Sequence, residues 1–167
     1  MREHVSLLRG INVGGKVLPM KDLVALCESL GLRDVQSYIQ SGNVLFNAGV
    51  AGLEQIRSAV ENRIRERFGL EVTVIMRTRR ELREVLGANP FLRSGLPPTA
   101  PLYVTFLAGE PGSGLGPPLD VKSADEFRVI GRHVYLHCPG GYGKTPYSNA
   151  YFEKNLKVAA TTRNWNT

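Results

Sequence analysis

The interpretation of the chain starts from one stretch near its beginning, Leu7-Leu8-Arg9-Gly10-Ile11-Asn12-Val13-Gly14-Gly15-Lys16. A short apolar run, residues 4–8, ends at Arg9 and predicts a first β-strand. The glycine-rich loop that follows can expose backbone N–H groups, because glycine adopts positive φ angles at little cost. Pro19 then suits the first turn of a helix. The stretch therefore predicts a strand, a loop suited to an anion or a polar ligand, and a helix.

The elements after this loop follow in a regular order. A helix is predicted from Pro19 to Leu30, because apolar residues recur there at spacings of three and four, and Gly31 suits its C-cap. Further strands are predicted at 35–40, 44–46 and 72–76, with a second helix at 53–68. The order βαββαβ within residues 1–77 is that of the ferredoxin-like unit, an antiparallel four-stranded sheet with two helices on one face.

The second half permits the same interpretation. Residues 78–81 match a capping box and predict a short helix that runs to Leu86 and is stopped by Gly87 and Asn89-Pro90. The predicted elements after it are strands at 102–107, 127–130, 133–137 and 158–162, and helices around 118–123 and at 146–156. We therefore predict an α+β chain of two fused ferredoxin-like (βαββαβ) subdomains with antiparallel sheets. Their bounds are 1–77 and 102–167, and residues 78–101, rich in proline towards their end, connect them.

Composition favours a cytoplasmic protein. The chain has 167 residues, 43% of them hydrophobic, and its two cysteines provide neither a disulfide framework nor a zinc motif. No apolar run reaches the length of a membrane span, and the first residues do not predict a signal peptide, so no membrane partner is expected. The net charge is +6, and residues 131–167 carry five basic residues against one acidic. This excess favours nucleic acid or a phosphate-containing small molecule as partner, unless it is an ordinary basic surface.

Four segments of the chain together resemble a known family. They are Leu7–Lys16, Tyr38–Val44, His137–Lys144 and Ala160–Trp165. In these segments the chain is similar to the bacterial DUF1697 family, a domain of unknown function, and the resemblance extends over essentially the whole sequence. It implies two fused ferredoxin-like subdomains and no established activity, substrate or catalytic residue. It also implies a helix after the last segment, which this sequence, ending at Thr167, does not contain.

The first glycine-rich stretch matches only part of a nucleotide-binding motif. Gly10, Gly15 and Lys16 fit the beginning of a P-loop, but Val17 stands where Ser or Thr would bind Mg²⁺. Nucleotide hydrolysis is therefore not predicted. Two alternatives remain, a structural turn and an anion-binding loop that uses backbone N–H groups and Lys16.

Three other segments carry candidate ligand-binding residues, each with a structural alternative. Residues 140–145 precede a predicted helix, whose N-terminus favours an anion, or they form a simple connection. Residues 40–43 bind a ligand or only shape a turn. Residues 161–165 form either a strand with a docked tryptophan or a platform for stacking a base. The full candidate set is Arg9, Asn12, Gly14, Gly15, Lys16, Gln40, Ser41, Asn43, Gly141, Tyr142, Lys144, Arg163, Asn164 and Trp165.

Metal and nucleophile chemistry are not favoured. His133 and His137 share one face of a predicted strand and Cys138 follows, but no third metal ligand stands near them in the sequence. A Cys138 nucleophile with a histidine base would need a geometry that adjacency alone does not provide. An RNA-recognition sheet needs aromatic residues on its central strands, and the first strand has none. We therefore predict no metal and no cofactor, and we assign no catalytic residue.

Three classes of function remain open. The first is a cytoplasmic binding domain for an anionic ligand, a nucleotide or nucleic acid, held by the glycine-rich loops. The second is a small transferase or hydrolase whose site lies between the subdomains, with a phosphate or carboxylate held by Arg9, Asn12, Lys16, Lys144 and Arg163. The third is a protein-interaction domain that forms a homodimer through exposed sheet edges.

Overall fold

The chain forms two compact units, residues 1–84 and 85–167. They are seen in a computed structural model that describes residues 3–49, 52–112 and 123–167. Each unit contains one four-stranded antiparallel sheet. The α+β class predicted from the sequence is therefore confirmed.

The first unit has the predicted order of elements. They are β1 (His4–Leu8), α1 (Met20–Ser29), β2 (Arg33–Tyr38), β3 (Asn43–Asn47), α2 (Leu53–Phe68) and β4 (Val74–Thr78). The strands lie in the order β2-β3-β1-β4. β2 ends two residues earlier than predicted because Ile39, with φ 52°, leaves the strand and begins a turn.

The core of the first unit lies between its sheet and its two helices. Leu23, Leu26 and Cys27 of α1 are buried, as are Val60 and Ile64 of α2. These positions recur at helical spacing, so each helix buries one face. Burial of one such leucine or isoleucine contributes about 1.5–3 kcal/mol. This packing holds the C-terminal end of β1 in place, and the first glycine-rich stretch begins there.

The second unit contains a sheet of order β6-β7-β5-β8. Its elements follow α3 (Arg79–Ala88), which spans the division between the units, and are α4 (Pro90–Arg93), β5 (Leu102–Leu107), β6 (Glu126–Ile130), β7 (His133–His137), α5 (Asn149–Leu156) and β8 (Ala160–Asn164). A single 3₁₀ turn, Tyr142–Lys144, stands between β7 and α5. The helix predicted around 118–123 falls outside the described residues, except for Ser123, which is not helical.

Two features of the second unit differ from the prediction. Asn89-Pro90 stops α3 at Ala88, as predicted, but it also begins α4, a helix that was not predicted, because the Asn89 side chain accepts a hydrogen bond from the Phe91 N–H at 3.0 Å and proline suits the first helical position. The helix predicted from residue 146 begins at Asn149, where Ser148 is the N-cap and accepts from the Tyr151 N–H at 3.3 Å. The glycine-rich residues 140–145 therefore do not lead directly into a helix N-terminus.

No helix in the described ranges combines the length and the apolar character that crossing a bilayer requires.

Candidate functional site

Two loops of the first unit meet at one end of its sheet. We call residues 9–18 the first glycine loop and residues 39–42 the β2–β3 turn. The Leu8 N–H donates to the Gly42 carbonyl at 3.0 Å, and the Asn12 side chain donates to the Gln40 carbonyl at 3.0 Å. The structure thus brings together two of the segments that the sequence singled out.

Asn12 closes the first glycine loop. Its Nδ2 donates to the Leu18 carbonyl at 3.1 Å, and its Oδ1 accepts from the Leu18 N–H at 2.9 Å. Its own N–H donates to the Lys16 carbonyl at 2.6 Å, and its φ is 55°, a left-handed value that asparagine tolerates. Both ends of the side-chain amide are therefore engaged within the protein, and Asn12 shapes the loop.

The tip of the loop exposes backbone donors. Gly14 and Gly15 have φ angles of 59° and 89°, and both are exposed, as is Val13. Among the described residues, no acceptor lies within hydrogen-bond distance of these three N–H groups. The φ angle changes sign between Val13 and Gly14, and a pair of residues of opposite handedness directs successive N–H groups to one side and creates a concavity for an anion.

Two cations of the candidate set adjoin this loop. Lys16 is exposed, and its Nζ donates to the Glu71 carbonyl at 3.0 Å, a neutral acceptor that leaves the ammonium charge in place. Arg9 is half-buried, and its N–H donates to the Thr73 carbonyl at 2.9 Å. The Lys16 ammonium therefore lies against the backbone of Glu71, and Lys16 directly follows the exposed glycines in sequence.

The polar residues of the β2–β3 turn mostly satisfy one another. Asn43 is buried, and its Nδ2 donates to the Tyr38 carbonyl at 3.2 Å and to the Ser41 hydroxyl at 2.9 Å. Gln40 is exposed and contributes its carbonyl to Asn12. The geometry of Ser41 and Asn43 is that of residues that hold a turn in shape.

Sequence reasoning missed four exposed apolar side chains, two in the first glycine loop and two where β2 passes into the β2–β3 turn. Val13 and Val17 are 63% and 70% exposed, and Tyr38 and Ile39 are 46% and 51% exposed. Large apolar side chains at such exposure mark a surface that binds something when they are grouped. The available signal was the pair of valines on either side of Gly14-Gly15-Lys16.

In the second unit, Tyr142 belongs to a hydrogen-bond network centred on the Thr162 hydroxyl. The Thr162 hydroxyl lies 2.6 Å from Asn149 Oδ1, 2.7 Å from the Thr105 hydroxyl and 3.0 Å from the Tyr142 hydroxyl. A hydroxyl has one hydrogen, and Thr162 donates it to Asn149, so Thr162 accepts from both Thr105 and Tyr142. The network ties the 3₁₀ turn to β8 and to the first residue of α5.

We expect Thr162→Val to lower the free energy of unfolding by about 2 kcal/mol, because three polar groups, one on the buried Thr105 and two on half-buried residues, lose their shared partner. Thr105→Val removes only one of these bonds and should cost about 1 kcal/mol. Urea denaturation of the two variants and of the double variant measures both values. Equal losses in the two single variants would contradict the central place of Thr162 in the network.

Arg163 does not join this network. Neighbouring residues of a strand point to opposite faces, so Arg163 lies on the other side of β8 from Thr162. Its Nη1 donates to the Thr161 hydroxyl at 2.8 Å and to the Thr162 carbonyl at 2.9 Å. Burial lowers the pKa of Arg163 to about 10, so the guanidinium remains charged at neutral pH.

The remaining candidates of the second unit are dispersed around β8 and the 3₁₀ turn. Asn164 and Lys144 are exposed, Trp165 and Gly141 are half-buried, and the Trp165 N–H donates to the Leu102 carbonyl at 2.9 Å. Gly141, with φ 85°, begins the 3₁₀ turn that the Lys144 N–H closes. The stacking platform around Trp165 therefore stays a prediction.

The cysteines and histidines do not form a reactive or metal-binding group. Burial raises the pKa of the Cys27 thiol to about 12, and burial is also the main cause that raises the pKa of Cys138. Protonated thiols are poor nucleophiles. Within the described ranges, no three histidine, cysteine or carboxylate side chains stand close enough together to hold a metal ion.

These features define a two-unit α+β protein with two antiparallel four-stranded sheets and a glycine-rich loop at the end of the first sheet. The chain belongs to the DUF1697 family, described as a protein of unknown function, whose family model matches residues 1–135. The family resemblance drawn from the sequence is thereby confirmed, although two of the four segments that suggested it lie after residue 135.

A solved structure shares the fold. The conserved bacterial protein SP0830 from Streptococcus pneumoniae is similar with a TM-score of 0.65 and 22% sequence identity, over 98% of this chain and 92% of that one. The likeness at this identity concerns the fold. No curated protein matches the chain.

Proposed function

We propose that the chain binds an anionic ligand, a nucleotide or nucleic acid, at the first glycine loop. The observation that carries the proposal is the exposed run Val13, Gly14 and Gly15, whose N–H groups meet no acceptor among the described residues and in which φ changes sign between Val13 and Gly14. Such a run concentrates positive partial charge where a phosphate can approach the backbone closely. Lys16 adds a full charge beside it.

The exposed apolar side chains favour a nucleotide over a bare inorganic anion. Tyr38 and Ile39 immediately precede Gln40, whose carbonyl is bonded to the loop through Asn12. Val13 and Val17 lie in the loop itself. A base can stack on an exposed tyrosine while its phosphate meets the N–H groups, and stacking of this kind contributes about 1–3 kcal/mol per base.

Binding of labelled oligonucleotides tests the proposal directly. Fluorescence anisotropy with short single-stranded DNA and RNA, with a nucleoside triphosphate and inorganic phosphate as competitors, should be compared for the native chain, Lys16→Gln and Lys21→Gln. Lys21 is also exposed and lies in α1, so its variant changes net charge equally. We expect Lys16→Gln to weaken binding about tenfold and to reduce the slope of log affinity against log salt by about 1, with Lys21→Gln close to the native chain. Absence of binding to every probe, or equal effects of the two variants, would remove the proposal.

The same four apolar side chains support a second candidate, self-association. A homodimer would cover Val13, Val17, Tyr38 and Ile39, which no other described part of the chain buries. Sedimentation velocity over a range of concentrations separates this candidate from nucleotide binding, because only the homodimer forms without an added ligand.

We also propose that both units are ferredoxin-like and arose as a structural repeat. The sheet orders β2-β3-β1-β4 and β6-β7-β5-β8 correspond strand for strand, since β5 takes the place of β1. The helix that would complete the second unit belongs between β5 and β6, where residues 113–122 lie outside the described ranges. A crystal structure that traces these residues would test the repeat.

A further inference from the structure

A cleft in the second unit is unrelated to the first glycine loop. We call it the Phe91 cleft. Its apolar wall is formed by Pro90, Phe91 and Leu96, and its polar rim by Glu126, Arg128 and His137. Its volume is about 430 Å³, which lies within the usual range for small-molecule sites, roughly 300–1,000 Å³.

Arg128 keeps most of its donors available at the rim. Its Nη1 donates to the Phe127 carbonyl at 2.8 Å, and its Nη2 meets Glu126 Oε2 at 3.4 Å. A strong charge-assisted bond would be about 2.7–2.9 Å long, so the contact with Glu126 is loose. A guanidinium has five N–H groups, and the others of Arg128 meet no acceptor among the described residues.

The Phe91 ring packs near both the Arg128 guanidinium and the His137 imidazole. The Arg128 guanidinium lies 5.9 Å from the centroid of the Phe91 ring, and the His137 ring lies 5.9 Å from the same ring, tilted by 49°. Phe91 is buried and fixed by the N-cap bond of Asn89. The donors of the rim are therefore positioned by a rigid apolar surface.

We propose that the Phe91 cleft binds a small monocarboxylate with an aromatic or apolar body. The carboxylate accepts two parallel hydrogen bonds from Arg128 and one from the His137 ring, and the body packs on Phe91 and Leu96. A carboxylate suits this rim because its two oxygens match the planar fork of the Arg128 guanidinium.

Three probes of one shape test this assignment. They are 3-phenylpropionate, the neutral 3-phenylpropan-1-ol and the cationic 3-phenylpropylamine, titrated into ¹⁵N-labelled protein while amide shifts are followed. We expect a saturable shift of the amides around Phe91 and His137 with the carboxylate, in the millimolar range, and binding weaker by about tenfold for the alcohol. Equal binding of the alcohol, preference for the amine, or no shift at the cleft would overturn the proposal.

A pair of arginine variants makes the test specific. Arg128→Gln should weaken 3-phenylpropionate about tenfold, whereas Arg132→Gln, in the turn between β6 and β7 and outside the cleft, should change it by less than about twofold. Arg128 is exposed, so Arg128→Gln is expected to fold. If this variant does not fold, the comparison of the three probes on the native chain still tests whether the cleft prefers a carboxylate. Loss of binding in both variants to the same extent would mean that only net charge matters and would reject the site.

Discussion

Gly42→Ala is expected to lower the free energy of unfolding of the first unit by about 3 kcal/mol. Gly42 has φ 74°, and a β-carbon built on it would lie 2.8 Å from Leu8 Cβ and 2.8 Å from Ile11 Cδ1. The left-handed backbone costs an alanine about 1–2 kcal/mol, and overpacking of a close contact adds about 1–3 kcal/mol. Since Leu8 and Ile11 belong to the core, neither can move away freely.

Gly31→Ala is the matched control for this prediction. Gly31 has φ 80°, close to that of Gly42, but nothing lies within 4 Å of its added β-carbon. The control should therefore lose only the backbone contribution, about 1–2 kcal/mol. Hydrogen exchange of the slowest amides of β1 and β3 measures the unfolding free energy of this unit in each variant. If the two variants lose the same unfolding free energy, the prediction is wrong, because the added β-carbon at position 42 is then accommodated without overpacking Leu8 and Ile11.

The elements of the first unit could be predicted from the sequence because each one buries a regular face. Helix α2, for example, repeats apolar residues from Leu53 through Ile64, and its C-cap Gly69 is marked in the sequence as well. The Asn89-Pro90 pair ends α3 at Ala88, as predicted, and also begins α4, which was not predicted because both residues favour either the end of one helix or the start of the next. The hydrogen bond from the Phe91 N–H to the Asn89 side chain marks this second role.

Less of the candidate site could be predicted. Residue types identified the first glycine loop, but they did not reveal that the Asn43 amide would be occupied by the turn. The two histidines of β7 are four residues apart in a strand, about 13 Å, and pack on different rings, Phe106 and Phe91. The Phe91 cleft joins residues far apart in sequence, and no local pattern marks such a site.

Asn12→Ala is expected to lower the unfolding free energy of the first unit by about 3 kcal/mol, because three side-chain hydrogen bonds are lost and alanine is strained at φ 55°. Asn62→Ala, which removes an exposed side-chain amide on α2 that accepts from Arg65 Nη2, should cost less than about 0.5 kcal/mol. Amide hydrogen exchange without ligand measures both. This measurement distinguishes a residue that holds the loop in shape from one that only contacts a ligand, because loss of the former destabilises the unit even when no ligand is present. If Asn12→Ala is as stable as Asn62→Ala and loses only oligonucleotide binding, Asn12 contacts the ligand, and its bonds to Leu18 and Gln40 do not hold the loop.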